Sequence, residues 1–244
     1  MTQPHPNARL FVPDLLAQRV MIALSKPQSH YLCSVMRQKD GASIALFNGK
    51  DGEWWGKLSG AGSKYVQVTC EHQARPQAAE PDVWLLFAPI KFGKIDFLVQ
   101  KVTELGAAAL YPVQTARTVV SRLNDDRLEA NAIEAAEQSE RLTIPQIHDY
   151  QPLQKMLANW PADRLLIYGD ETHQGKPPAE LLPPLKGQKL ALLVGSEGGF
   201  SPEELAQLRK MPSAHAMSLG PRILRADTAA LAALTCVMAF CGEW

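Results

Sequence analysis

The sequence lacks several features that would decide its class at once. Only four of its 244 residues are cysteines: Cys33, Cys70, Cys236 and Cys241. None forms a Cys-x-x-Cys pair, and no histidine pair stands beside them at zinc-ligand spacing. A structural metal is therefore not expected. The four read as reduced thiols, with Cys236 a small core residue. No apolar run is long enough to span a bilayer. The start, Met1-Thr2-Gln3-Pro4-His5-Pro6, lacks the basic-then-apolar pattern of a secretory leader. Together these predict a cytoplasmic protein with no membrane partner. Net charge is also missing, since 25 basic residues face 25 acidic ones. That disfavours a protein that coats nucleic acid without specificity, because phosphate neutralisation drives such binding. A local basic face gripping one RNA site is still compatible. There is no internal repeat and no low-complexity tail.

What is present is ordinary in bulk and informative in order. Hydrophobic residues make up 46% and charged residues 20%, as in soluble globular proteins. The length allows one large domain or two small ones. Residues 1–72 read as small β structure. Ser43–Phe47, the turn Asn48-Gly49-Lys50-Asp51-Gly52, Glu53–Leu58 and the period-two stretch Lys64–Thr69 form a hairpin-type pattern. One helix is predicted over Pro27–Arg37, with Leu32, Val35 and Met36 on one face. The expected architecture is a compact barrel. Residues 73–82, polar with two prolines, predict a linker.

Beyond the linker the pattern changes to alternating strand and helix. Strands are predicted at Val83–Ile90, Ala107–Val113, Arg164–Tyr168 and Leu190–Val194. Helices are predicted at Lys94–Leu105, Asp125–Arg141 and Ala229–Phe240. This implies an α/β domain over residues 83–244 with a mostly parallel sheet.

Two segments carry the chemistry. The first is Leu192-Leu193-Val194-Gly195-Ser196-Glu197-Gly198-Gly199-Phe200-Ser201-Pro202-Glu203-Glu204. An apolar strand ends in a loop with three glycines, then a helix begins with Ser201 as cap, Pro202 in its first position and Glu204 three after the cap. Such a loop lies at the carboxyl end of a parallel strand, where α/β sheets bind ligands. It is neither a P-loop, lacking Lys-Ser/Thr, nor the dinucleotide fingerprint, whose glycine spacing differs. On its own it is equally a plain glycine turn before a capped helix. The second segment is Met217-Ser218-Leu219-Gly220-Pro221-Arg222-Ile223-Leu224-Arg225-Ala226-Asp227-Thr228-Ala229. Asp227 or Thr228 suits the cap of the last helix. Arg225, set between apolar neighbours, is expected to have a specific partner.

These segments resemble a known family. Gly195-Ser-Glu-Gly-Gly resembles its Gly-Pro-Glu-Gly-Gly, and Leu219-Gly-Pro-Arg-Ile-Leu-Arg-Ala-Asp-Thr-Ala resembles its Leu-Gly-x-Arg-Ile-Leu-Arg-Thr-Glu-Thr-Ala. Lys101-Val-Thr-Glu-Leu-Gly, Glu134-Ala-Ala-Glu-Gln-Ser-Glu-Arg and the start Arg9-Leu-Phe-Val also fit, in the same order. The family is the ribosomal RNA small-subunit uridine-N3 methyltransferases of the SPOUT superfamily, and the resemblance covers nearly the whole chain. It implies a carboxyl-terminal α/β domain tied in a trefoil knot, a PUA-like barrel at residues 1–72, a homodimer, and S-adenosylmethionine as cofactor. The implied substrate is 16S ribosomal RNA, free or in the 30S subunit. Ser196 replaces the family's proline, which predicts a looser loop, and Asp227 replaces its glutamate.

The resemblance also implies roles. Backbone groups of Val194, Gly195, Leu219 and Gly220 would hold adenine and ribose, with Leu193, Gly198, Met217, Ser218 and Leu224 lining the same pocket. Arg225 would stabilise charge on a uracil oxygen, and either Glu197 or Asp227 would accept the N3 proton. The expected phosphate contacts are Arg9, Arg37, Lys91, Lys94, Lys101, Arg117, Arg141 and Arg222. For Lys91, Lys94, Lys101, Arg117 and Arg141 a solvated helix face or an internal pair with Glu104 or Glu137 is an equal alternative, and Arg141 lies four residues from Glu137. Competing readings are a transfer-RNA or ribose methyltransferase of the same superfamily and a non-catalytic RNA-binding assembly factor. A nicotinamide oxidoreductase is a weak third, since no early Gly-x-Gly-x-x-Gly exists.

Overall fold

The chain divides into two units, one of Met1–Ala79 with Ala136–Ile144, the other of Glu80–Ala135 with Pro145–Trp244. The structure, a computed structural model, describes residues 5–63, 65–90, 93–172, 174–242 and 244.

The first unit contains β1 (Ala8–Phe11), β2 (Met21–Ala23), α1 (Lys26–His30), β3 (Ser43–Phe47), β4 (Glu53–Ser59) and β5 (Gln67–Arg75). They form one five-stranded sheet in the order β1-β3-β4-β5-β2. Alternation buries Leu10, Ile22, Ile44, Leu46, Leu58 and Val68 on one face together with Leu32. Burial of each such side chain stabilises by about 1.5–3 kcal/mol. The helix expected from Pro27 starts one residue earlier, where Ser25 and Gln28 form a reciprocal capping box. It then widens into a π-helical turn, Tyr31–Val35, and stops before Arg37, whose φ is +55°. β5 runs on to Arg75, so the first residues expected in a linker pair with β4 instead. Sequence reading also missed that residues 136–144 belong to this unit.

The second unit begins with β6 (Val83–Phe87), α2 (Lys94–Glu104), β7 (Ala109–Gln114), α3 (Asp125–Gln138, of which residues from Ala136 on count with the first unit), β8 (Gln146–Ile147), β9 (Gln151–Pro152), α4 (Leu153–Ala158) and β10 (Arg164–Gly169). It continues with α5 (Pro178–Leu181), β11 (Lys189–Val194), α6 (Pro202–Lys210), β12 (Ala214–Met217) and α7 (Ala226–Cys241). The sheet order is β12-β10-β11-β6-β7-β8, with β9 also on β7. Each of these pairings is parallel, so the strands' carboxyl ends share one edge. Strand periodicity of two splits the core between the faces. Leu85, Phe87, Leu190, Leu192 and Val194 pack with α2 and α7. Leu86, Ala191 and Leu193 pack with Phe200, Leu205 and Leu208 on the other side. Among the described residues no helix is long and apolar enough to cross a membrane.

α6 starts as its sequence dictates. The Ser201 hydroxyl accepts from Glu204 N, the Glu204 carboxylate accepts from Ser201 N, and Pro202 occupies the first turn. At α7 the expected cap is not made. The helix begins at Ala226, three residues before the predicted Ala229, with Arg225 at the cap position and no side-chain cap. Asp227 Oδ1 accepts from its neighbour Thr228 N at 2.8 Å.

Candidate functional site

Because the strands are parallel, the loops after β10, β11 and β12 emerge side by side. Between them lies a cavity of about 820 Å³, within the range of small-ligand sites. Each part of its wall follows a strand end. Gly169, Asp170 and Glu171 close β10; residues 194–199 close β11; Met217, Leu219 and Gly220 close β12. Arg222, Ile223, Leu224 and Arg225 continue the wall into α7, with Lys94 from α2 and Arg117 from beyond β7.

Two glycines leave little room for a side chain. A Cβ on Gly195 would stand 3.1 Å from the Phe200 ring, which is buried. Gly199 has φ +70°, and a Cβ there would lie 2.1 Å from Glu171 Oε1. Glu171 accepts from Phe200 N at 3.1 Å and so ties the β10 exit to the β11 loop. Ser196 itself takes part in closing that loop. Ser196 O accepts from Gly199 N at 2.8 Å, and its hydroxyl reaches Gly199 O at 3.4 Å. The turn is closed without the proline.

Most residues expected around the cofactor meet here: Val194, Gly195, Gly198, Met217, Leu219, Gly220 and Leu224. Two do not. Leu193 alternates to the opposite face and is fully buried against Phe200 and Leu205. Ser218 is off the wall, and its N–H donates to Lys176 O at 2.9 Å. Glu197 and Arg225 are on the wall. Arg225 is exposed and makes no side-chain hydrogen bond or ion pair to a described residue, contrary to the partner expected for it. Asp227 is not on the wall, but its Oδ2 lies 4.0 Å from Lys94 Nζ, which is 3.4 Å from Glu197 Oε1. One lysine thus faces both candidate carboxylates.

The expected phosphate contacts separate into groups. Arg222 is exposed at the cavity wall, and Arg37 is exposed in the first unit. Arg117 also reaches the wall, but its Nη1 donates to Gly198 O at 2.6 Å and so braces the glycine loop. Lys101 is paired to Glu104 at 2.7 Å. Lys91 lies outside the described residues. Arg9 and Arg141, expected on phosphates, are instead internal. The Arg9 guanidinium bonds Glu53 at 2.7 Å, Ala136 O at 2.6 Å and Arg141 O, and lies 3.7 Å over the Phe47 ring. Arg141 is 9% exposed, with Nη2 on the Thr143 hydroxyl at 3.1 Å. Two of the motif segments, around Arg9 and around Glu137, therefore meet each other. Phe11 N donates to Glu137 Oε1 at 2.9 Å.

Glu53 anchors this cluster. Burial pushes its pKa up, but hydrogen bonds from Arg9, Trp55 and Arg75 outweigh that and hold the carboxyl below its ordinary value. The cysteines are free thiols, and burial raises the pKa values of Cys70, Cys236 and Cys241.

Sequence reading missed Gly169, Asp170 and Glu171. No motif surrounds them, although their position just after the apolar strand Arg164–Tyr168 was a usable signal.

This cavity, set at the carboxyl edge of a parallel sheet and walled by two glycine loops, falls in a segment with a defined class. Residues 78–238 match the family model described as RNA methyltransferase domain, and residues 24–70 match that of the RNA methyltransferase PUA domain. The chain is 31% identical over 228 residues to ribosomal RNA small subunit methyltransferase E of Rickettsia conorii, covering 93% of both chains. It is 30% identical to the protein of that name from Bacillus subtilis, covering 88% of both. A putative methyltransferase from Legionella pneumophila, solved in complex with bound S-adenosylmethionine, is 27% identical and has a TM-score of 0.86 over 97% of this chain and 99% of its own. The chain belongs to the ribosomal RNA small subunit methyltransferase E family.

Proposed function

We propose that the chain transfers a methyl group from S-adenosylmethionine to N3 of a uridine in 16S ribosomal RNA, free or within the small subunit. The observation that carries this is the cavity itself, two-sided in charge and walled by glycine, in a chain of this family. Its wall suits that cofactor. Loops around Gly195 and Gly220 expose backbone groups for a purine and ribose, and Val194, Met217, Leu219 and Leu224 supply apolar surface. Acidic and basic side chains on the wall, Glu197 and Lys94 among them, would suit the charged amino-acid end. When bound, the cofactor supplies a methyl group already activated on a sulfonium sulfur.

The protein's part is positioning and charge. Holding the methyl in line with N3 accounts for several kcal/mol of the barrier. Arg225, with no described partner, is free to meet negative charge on a uracil oxygen as N3 gives up its proton. Glu197, on the wall, is the proton acceptor in this reading. Asp227, off the wall and engaged by Thr228, holds Lys94 instead. Arg222 and Arg37 contact phosphates, and the uridine leaves its stack so that N3 is reachable. The knotted threading of the carboxyl-terminal segment, a cytoplasmic location and a homodimer belong to the same reading. Exposed Ile223 and Phe240 are available to the dimer, and a monomer mass in sedimentation would remove it.

The test is transfer of labelled methyl to small subunits from cells lacking the protein, followed by nucleoside analysis. Labelled 3-methyluridine supports the proposal, and another labelled nucleoside discards its specificity. Binding of RNA without binding of cofactor would favour an assembly factor.

A further inference from the structure

Asp170 stands out among the charged groups of the cavity wall. It is 5% exposed, and its backbone N–H is fixed on Met217 O at 3.1 Å, between the ends of β10 and β12. Its two carboxylate oxygens have different surroundings. Oδ1 accepts from Thr172 N at 2.9 Å and from the Thr172 hydroxyl at 2.6 Å, closing a local turn. Oδ2 is buried and has no hydrogen-bond partner among the described residues. A buried carboxylate oxygen without a donor is costly, and such groups call for an explanation.

The described cations of the wall do not supply that donor. Lys94 faces Glu197 and Asp227, Arg117 is on Gly198 O, and neither Arg222 nor Arg225 bonds to Asp170. The nearby Arg209 reaches the Thr172 hydroxyl at 3.3 Å, not the carboxylate. Glu171, the adjacent acid, is committed to Phe200 N. A carboxylate with one buried, unpartnered oxygen thus sits in the wall of the cavity, and S-adenosylmethionine, the ligand proposed for that cavity, carries two kinds of amino group.

We propose that the Asp170 carboxylate receives an amino group of the bound cofactor, making it a binding residue of the site. This rests on the reading that the cavity holds S-adenosylmethionine. The chemistry recognised is an N–H donor. It is either the ammonium of the amino-acid end or the exocyclic amine of adenine, and three probes separate them. S-adenosylhomocysteine carries both, 5′-methylthioadenosine lacks the ammonium, and S-inosylhomocysteine lacks the adenine amine.

The experiment is calorimetric titration of wild type and Asp170→Asn with each probe, after thermal melting without ligand. Asparagine keeps an oxygen for the Thr172 turn and turns the other acceptor into a donor. The expected result is a loss of about tenfold or more for S-adenosylhomocysteine. A much smaller loss for 5′-methylthioadenosine assigns the contact to the ammonium, and a much smaller loss for S-inosylhomocysteine assigns it to adenine. Equal losses for all three, or none, overturn the proposal. Thr172→Val, which disturbs only the turn, is expected to leave the ratios among the three probes unchanged; a changed ratio also overturns it. If wild type binds none of the probes, the cofactor reading itself falls.

Discussion

Arginines of the two units look alike in the sequence and behave oppositely in the structure. In the first unit, Arg9 is sequestered by Glu53, two backbone carbonyls and the Phe47 face, and Arg141 is buried beside Thr143. In the second, Arg222 and Arg225 stand at a cavity wall with no described partner. The second unit also has a structural arginine. Arg164 is 3% exposed, pairs with Asp82 at 2.5 Å and lies 3.6 Å over Trp84. The difference is therefore not between units as such. An arginine whose guanidinium is paired inside the protein holds the fold, whereas one with no described partner at a concave wall is available to a ligand.

That contrast can be broken in several ways. The largest effect is expected from Glu53→Gln, which leaves buried Arg9 without its anion. Unfolding free energy should fall by about 3 kcal/mol or more, read by urea titration; a change under 1 kcal/mol would mean the cluster is dispensable. The same carboxylate gives a pH signature. Its folded pKa lies below the ordinary 4.5, so its stabilisation is complete above that pH and is lost as pH falls through the lower folded value. Wild-type stability should drop on that acid limb, and Glu53→Gln should flatten it. Next is Gly199→Ala, strained at φ +70° and crowding Glu171. Cofactor affinity should weaken several-fold, and unchanged affinity would show that the turn can relax. Smaller still is Arg222→Ala, which should weaken RNA binding and lower the salt slope by about one. Lys101→Ala should do least. Its pair with Glu104 is partly exposed, so stability should move by at most about 0.5 kcal/mol. A lowered salt slope would return Lys101 to the phosphate contacts.

Local signals were legible where one short segment contains all its determinants. The α6 cap needs only Ser201, Pro202 and Glu204, and it forms as read. The buried strands β6, β10 and β11 follow from apolar runs between breakers. Errors arose where the partner is distant in sequence. Arg9 reads as a free cation until residues 136–144 join its unit, 127 positions away from it at Ala136. Leu193 does not join Val194 at the cavity, because neighbours on a strand face opposite sides. The same distance hid Asp170. Its significance lies in an oxygen that finds no donor, and that is a property of the assembled cavity.

In the proposed reaction Arg225 serves the chemistry and not the fold. The most direct measurement is the rate of labelled methyl transfer to small subunits by Arg225→Ala, expressed per folded molecule. We predict a fall of about a hundredfold or more at wild-type melting temperature. A rate within a few-fold of wild type, or a loss explained by unfolding, would contradict it.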